Sequence, residues 1–298
     1  MENKQDKIIS IICHSLAGVF LLAMLILASF KDLQISQQIS DQNSFFGVLF
    51  QKIAEYPQYL MLPICGVIIF YNADTFSKKQ SQILFYIFGA VLTIFGWWLF
   101  AFASEKTVEI PHMLGFSIFA GVFYGAIGLG LGKLIPKEIM HKLLKWAVFC
   151  LIVTAVSLLV TQVLKSIWHR MRFRDMLKEG NFDGFTPWYK INPFRGKLDD
   201  SYHYTSFPSG HTSASVHIFL FAVLCDVFAC KKWVKYTAYS ACALFVLLTM
   251  FARIVNCAHF LSDVTVATFV TYLIFYVAKR LFFKKGYSFQ KQTVQIKE

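Results

Sequence analysis

The stretch LLKWAVFCLIVTAVSLLVTQVLKSIW, residues 143–168, decides the class of this protein. Between Lys145 and Lys165 it carries no charge, and at about 1.5 Å of rise per residue such a run reaches across the roughly 30 Å hydrocarbon core of a bilayer. It predicts a transmembrane helix. Working outward, seven further apolar runs predict spans over residues 8–30, 56–71, 83–103, 110–135, 211–229, 234–257 and 264–283. The first exceeds the roughly 7 to 15 apolar residues of a signal peptide and reads as an uncleaved span. The second is short and holds Pro57 and Pro63, with residues 45–53 before it suited to the membrane interface.

Composition points the same way. Of 298 residues, 56% are apolar and 15% charged, the mean hydropathy is +0.53, and a soluble globular chain has about 25% charged residues. A water-soluble enzyme is disfavoured. Phe alone contributes 32 residues and aromatics 17%, too much apolar surface to leave hydrated in a disordered chain. The seven cysteines, Cys13, Cys65, Cys150, Cys225, Cys230, Cys242 and Cys257, lie in or at the ends of apolar runs and read as small buried hydrophobes, with no disulfide framework or zinc site expected. The net charge of +12 does not predict nucleic-acid binding, because the lysines punctuate apolar segments and so report topology.

With the N-terminus inside, cytoplasmic connections hold Lys78, Lys79, Lys133, Lys137, Lys142, Lys145, Lys231, Lys232, Lys235, Lys279, Arg280, Lys284 and Lys285. The opposite connections before residue 160 hold only Lys31, Lys52 and Lys106. By the positive-inside rule this predicts eight spans, both termini cytoplasmic, and an extracytoplasmic loop over about residues 169–209. The expected fold is all-α, a polytopic membrane helical bundle forming a single integral membrane domain over 1–298. That loop is the exception to the charge rule, carrying Arg170, Arg172, Arg174, Lys178, Lys190, Arg195 and Lys197. Its aromatics, Phe182, Phe185, Trp188, Tyr189, Phe194, Tyr202 and Tyr204, suit either a belt in the headgroup layer or a lid over a site.

Chemistry gathers at the same ends of the last four spans. Lys165 and Arg172 are seven apart, two turns on one face if the helix continues past Trp168. In Ser206-Phe207-Pro208-Ser209-Gly210-His211, the Pro, Ser and Gly open a helix whose first backbone N–H groups favour an anion, with His211 on its first turn. Arg253 precedes His259 and Asp263, which at a spacing of four are neighbours on a helix face, so that a carboxylate holds the imidazole Nδ1–H and leaves Nε2 to attack. Singly each has a bland reading: snorkelling cations, a helix cap, an interfacial histidine, a structural polar pair. Together, at membrane depth where charge is costly, they describe a phosphate-binding cup.

The ordered motifs, Lys165 and Arg172, then Pro208, Ser209, Gly210 and His211, then Arg253, His259 and Asp263, resemble the type 2 phosphatidic acid phosphatase superfamily, whose pattern is Lys-x6-Arg-Pro, Pro-Ser-Gly-His and Ser-Arg-x5-His-x3-Asp. Phe173 stands where that pattern has Pro, expected to loosen the turn after Arg172, and Ala252 stands where it has Ser, removing a hydroxyl. The Phe-Thr-Pro-Trp-Tyr run at residues 185–189 resembles a bacterial branch. The resemblance implies a six-span phosphatase core, here about 82–285, which leaves residues 1–81 as extra spans with no assigned role. It also implies His259 as a nucleophile oriented by Asp263 and His211 as the acid and then the base. Lys165, Arg172, Arg253 and the Ser209 and Gly210 amides would hold the phosphoryl oxygens. No metal or cofactor is implied, since fixed cations fill the role of Mg²⁺ and no carboxylate cluster accompanies the motifs.

The expected function is hydrolysis of a lipid phosphate of the undecaprenyl diphosphate, phosphatidylglycerophosphate or phosphatidate class at the outer face of the cytoplasmic membrane. The expected partners are that substrate and membrane lipids. A phosphotransferase on the same phosphohistidine is the neighbouring alternative. The known vanadium haloperoxidases share the cup but are soluble, and a transporter would put its polar groups near mid-bilayer.

Overall fold

The computed structural model describes residues 4–105, 113–192 and 203–283. Lys106, the first residues of the predicted fourth span, Phe194, Arg195, Lys197, Tyr202, Lys284 and Lys285 lie outside them. The described residues form twelve α-helices: α1 (Lys4–Ile39), α2 (Phe45–Ile53), α3 (Tyr56–Phe70), α4 (Lys79–Glu105), α5 (Met113–Gly132), α6 (Lys137–Trp168), α7 (Phe173–Glu179), α8 (Gly210–Val216), α9 (Ile218–Ala222), α10 (Leu224–Val227), α11 (Lys232–Val255) and α12 (Leu261–Phe282). Among them eight segments are long and apolar enough to cross a membrane. The all-helical membrane fold read from the sequence is therefore present.

Two spans differ most from their predicted limits. The first runs over Ile11–Ile39, nine residues past the last residue of the apolar run. Leu21, Ala28, Asp32 and Ser36 are all buried and fall on one helical stripe, so the inner face continues after the outer face turns polar. The second joins α2 and α3 into one candidate span, Phe45–Phe70, so the stretch expected along the interface forms its first part.

By internal contacts the chain divides into two compact units. The first comprises Met1–Ala54, Leu158–Ser213 and Phe245–Tyr272, and the second Glu55–Ser157, Ala214–Leu244 and Leu273–Glu298. In the first, Met171, Phe173, Met176, Cys257 and Phe260 form a buried cluster on which Leu33, Phe182, Phe185 and Tyr204 pack. The loop aromatics Phe182 and Phe185, partly buried, thus pack onto the core of this unit, whereas Tyr189 is exposed. In the second, α3 and α4 approach at glycines. A methyl group on Gly66 would lie 2.6 Å from the Thr93 nitrogen, and one on Gly89 would lie 2.6 Å from the Phe70 nitrogen. Close approach through small residues is how helices gain packing energy where lipid supplies no hydrophobic drive between them.

Candidate active site

The site residues come together in the first unit by three local devices. Helix α6 ends at Trp168, and His169 turns the chain with φ 42°, a left-handed conformation that ends helices. Arg172 is therefore not two turns beyond Lys165 on one helix; it is the residue before α7, with extended backbone. There its N–H donates to His203 O at 3.0 Å, while Ser206 N–H donates to Arg170 O at 3.0 Å. These bonds, with the parallel bridge of Arg170 to Thr205, lay the first motif beside the second. Lys165 Nζ then donates to Thr205 O at 2.6 Å and Arg172 Nη2 to Thr205 Oγ1 at 2.9 Å. Phe173 does not loosen the turn. It occupies the first position of α7, where Pro would also fit, and its fully buried ring packs edge-on against Phe260.

The second device is the start of α8. Ser209 precedes the helix and is buried; its Oγ accepts from Thr212 Oγ1 at 3.0 Å and from Thr212 N–H at 3.4 Å, as helix-capping serines do. Its own N–H donates to Asp263 O at 3.1 Å. The expectation that the Ser209 amide holds a phosphoryl oxygen is thereby corrected: that donor ties the second motif to the third. Gly210 begins α8, and among the described residues a Cβ added there would meet Lys165 Cε at 3.8 Å.

The third device is the turn between α11 and α12. Cys257 adopts φ 58°, and the N–H groups of Ala258 and His259 both donate to Arg253 O at 3.2 Å, which folds the chain back over the end of α11. His259 thus lies in the turn ahead of α12, and its closeness to Asp263 does not come from helical spacing. Asp263, third residue of α12, reaches back to accept the Phe260 N–H at 3.0 Å, one half of a capping box at the helix start.

This geometry reassigns one hydrogen bond. His259 Nδ1 is 2.8 Å from Ser206 O and 3.5 Å from Asp263 Oδ2. A carbonyl oxygen only accepts, so Nδ1 carries the proton and the lone pair of the neutral ring is on Nε2. Ser206, not Asp263, receives the Nδ1–H; the carboxylate acts on the ring as a charge. Its oxygens are instead held by Arg170 Nη1 at 2.6 Å, Ser206 Oγ at 2.6 Å and the Phe260 amide. Burial pushes the His259 imidazole down to about 3, with Arg253 and Arg172 adding to the effect against the pull of Asp263. It is a neutral base across the physiological range.

His211 lies within electrostatic reach of Arg253, His259, Arg172 and Lys165, so both histidines and three motif cations share one locality. Arg253 is 1% exposed and donates from Nη1 to Gln51 Oε1 at 3.1 Å; the same oxygen accepts from Asn256 Nδ2 at 2.6 Å. Sequence reasoning missed Gln51, Asp32, Arg170 and Ser206. Gln51 and Asp32 lie over 200 residues from their partners Arg253 and Ser262, and no local pattern marks them. Ser206 and Arg170 were in view beside the motifs, and an arginine two residues from Arg172 was the available signal. Among the described residues no group of three or more His, Cys, Asp or Glu side chains is placed to hold a metal ion.

Residues 145–287 match the family model described as the PAP2 superfamily. That part of the chain belongs to the type 2 phosphatidic acid phosphatase superfamily, helical membrane proteins that act on lipid-like phosphates as phosphatases or phosphotransferases. No curated protein and no solved structure matches the chain.

Proposed function

We propose that this protein is a lipid phosphate phosphatase working through a phosphohistidine at His259. The observation that carries the reading is the Nδ1–H bond to Ser206 O, which fixes the tautomer whose Nε2 is nucleophilic. Nε2 donates its lone pair to phosphorus as the bond from phosphorus to the lipid oxygen breaks, and His211 protonates the departing oxygen. Water then attacks the phosphorus, His211 takes its proton, the P–N bond breaks, and inorganic phosphate leaves. Lys165, Arg172 and Arg253 with the Gly210 amide stabilise the charge on the phosphoryl oxygens. The lysine asymmetry supports a site at the extracytoplasmic face with both termini cytoplasmic, and undecaprenyl diphosphate, phosphatidylglycerophosphate and phosphatidate make up the substrate class.

The test is a phosphate-release panel of purified protein against these lipids, with and without chelator and orthovanadate. Release that survives EDTA and is blocked by vanadate is expected, since the cations also fit a trigonal-bipyramidal anion. Loss in EDTA restored by Mg²⁺ overturns the metal-independent mechanism. Transfer of the phosphoryl group to an added alcohol with no free phosphate identifies a phosphotransferase instead.

A further inference from the structure

Asp32, near the end of the first span, touches none of the motif cations, yet its carboxylate is fully engaged. Oδ1 accepts the Ser262 N–H at 3.0 Å, and Oδ2 accepts the Ser262 hydroxyl and Arg170 Nη2, the latter at 2.8 Å. Arg170 forks: Nη1 donates to Asp263 Oδ1 at 2.6 Å and to Ser262 Oγ at 2.7 Å, and Nε donates to Thr186 O at 2.9 Å. The guanidinium stacks 4.2 Å from the Phe260 ring centre. Its side chain is 0% exposed, with Asp32 at 2% and Asp263 at 0%.

One cation therefore sits between two carboxylates in a dry site, and the charge count gives this arrangement a consequence. Arg170 and Asp263 alone form a neutral pair, which exerts little field on His259. With Asp32 sharing the guanidinium the cluster carries one net negative charge, next to an imidazole that turns cationic as phosphorus bonds to Nε2. Buried electrostatics of this kind act strongly because no water screens them. Asp32 also anchors the backbone one residue before Asp263, so it sets position as well as charge.

Building on the phosphohistidine reading, we infer that Asp32 and Arg170 are positioning residues for phosphoryl transfer, acting through Asp263, and that the first span is a working part of the catalytic centre. The experiment uses full-length protein in detergent, with p-nitrophenyl phosphate for steady-state rates and ³²P-labelled phosphatidate for alkaline-quench measurement of phosphoenzyme. Asp32→Asn keeps the shape and the acceptor for Ser262 N–H but removes the charge. Phosphoenzyme formation per folded molecule is expected to slow about 10- to 100-fold, by analogy with the loss of hydrogen-bond partners that orient metal ligands, with KM within about twofold. Asp32→Glu, which restores charge at the expense of fit, is expected to be faster than Asp32→Asn. A purely structural role predicts the reverse order, and that order overturns the inference. Phe30→Ala, at an exposed position, serves as the unchanged control. If Asp32→Asn does not fold, Arg170→Lys carries the test: one ammonium cannot fork to both carboxylates, and wild-type phosphoenzyme formation there overturns the inference. Wild-type protein that releases phosphate without any phosphoenzyme overturns the phosphohistidine reading itself, a result distinct from equal rates in wild type and variant.

Discussion

Asp32 in the first compact unit and Gly66 in the second represent two solutions to one problem, since lipid gives helices no hydrophobic reason to associate. The first unit is cross-linked by polar side chains between distant segments: Asp32 with Arg170 and Ser262, Gln51 with Arg253, Trp188 with Ser29, and Ser206 with Asp263. The second brings backbones together at Gly66, Gly89 and Gly96. Its long-range polar bonds include Asn72 Nδ2 to Met140 O at 2.9 Å and Trp146 Nε1 to Leu220 O at 2.8 Å. Polar cross-links fix orientation and leave charges in place, which is what a site needs. Glycine contacts fix distance alone. Damage should therefore differ in kind: in the first unit a lost partner leaves a buried charge uncompensated, and in the second an added methyl group has no room.

The largest effect expected is on chemistry without loss of fold. His259→Ala removes the proposed nucleophile, and kcat should fall by about 10⁴-fold or more with no phosphoenzyme formed. His211→Ala should cost about 10² to 10⁴-fold with an alkoxide leaving group and accumulate phosphoenzyme; a phosphoenzyme trapped in His259→Ala would reverse the two roles.

Next in size is Arg170→Leu, which strands Asp32 and Asp263 in a dry environment. Breaking such a cluster costs about 3–5 kcal/mol, readable as a lowered unfolding midpoint in detergent, whereas a change under about 1 kcal/mol would mean the first unit does not depend on its ionic cross-links. Gly66→Ala in the second unit is expected to cost about 1–3 kcal/mol by overpacking while leaving the activity of each folded molecule unchanged. At Gly130 a methyl group would meet nothing within 4 Å, so Gly130→Ala is the neutral counterpart.

The most gradual effect, small at each step of pH, is a slope in stability. The His259 imidazole titrates at about 3 in the fold against 6.5 when unperturbed. Below about pH 6.5 the unfolded chain thus binds a proton that the folded one refuses. Stability should fall as pH drops from about 6.5 towards 3, by at most about 1.4 kcal/mol per unit from this group. His259→Gln should flatten that slope, and an unaltered slope would show that the folded imidazole is not held neutral.

Hydropathy was enough to find all eight spans, because spanning helices must be long and apolar. What it could not see was that α1 continues past Phe30, since Asp32 and Ser36 read as a polar flank until the inward stripe through Leu21 and Ala28 is known. The site motifs were legible because their residue types are costly at membrane depth and unusual in combination. The pairing of His259 with Asp263 was found through a helical spacing that the turn at Cys257 does not have, and the acceptor for Nδ1–H was missed because a backbone carbonyl leaves no mark on a sequence. Asp32 and Gln51 were invisible for a related reason: their partners are set by the fold, and a lone Asp or Gln beside an apolar run has many bland explanations.

The span of chain between Asp32 and Arg170 also orders events during synthesis. The two are 138 residues apart, and at about 5–20 residues per second the arginine is made roughly 7–28 s after the aspartate. The first helix must therefore settle in the membrane with its carboxylate unpaired, and it is completed only when the fifth span and the loop after it have been delivered. Any nascent chain stalled before Arg170 holds that carboxylate without the guanidinium it pairs with in the finished fold.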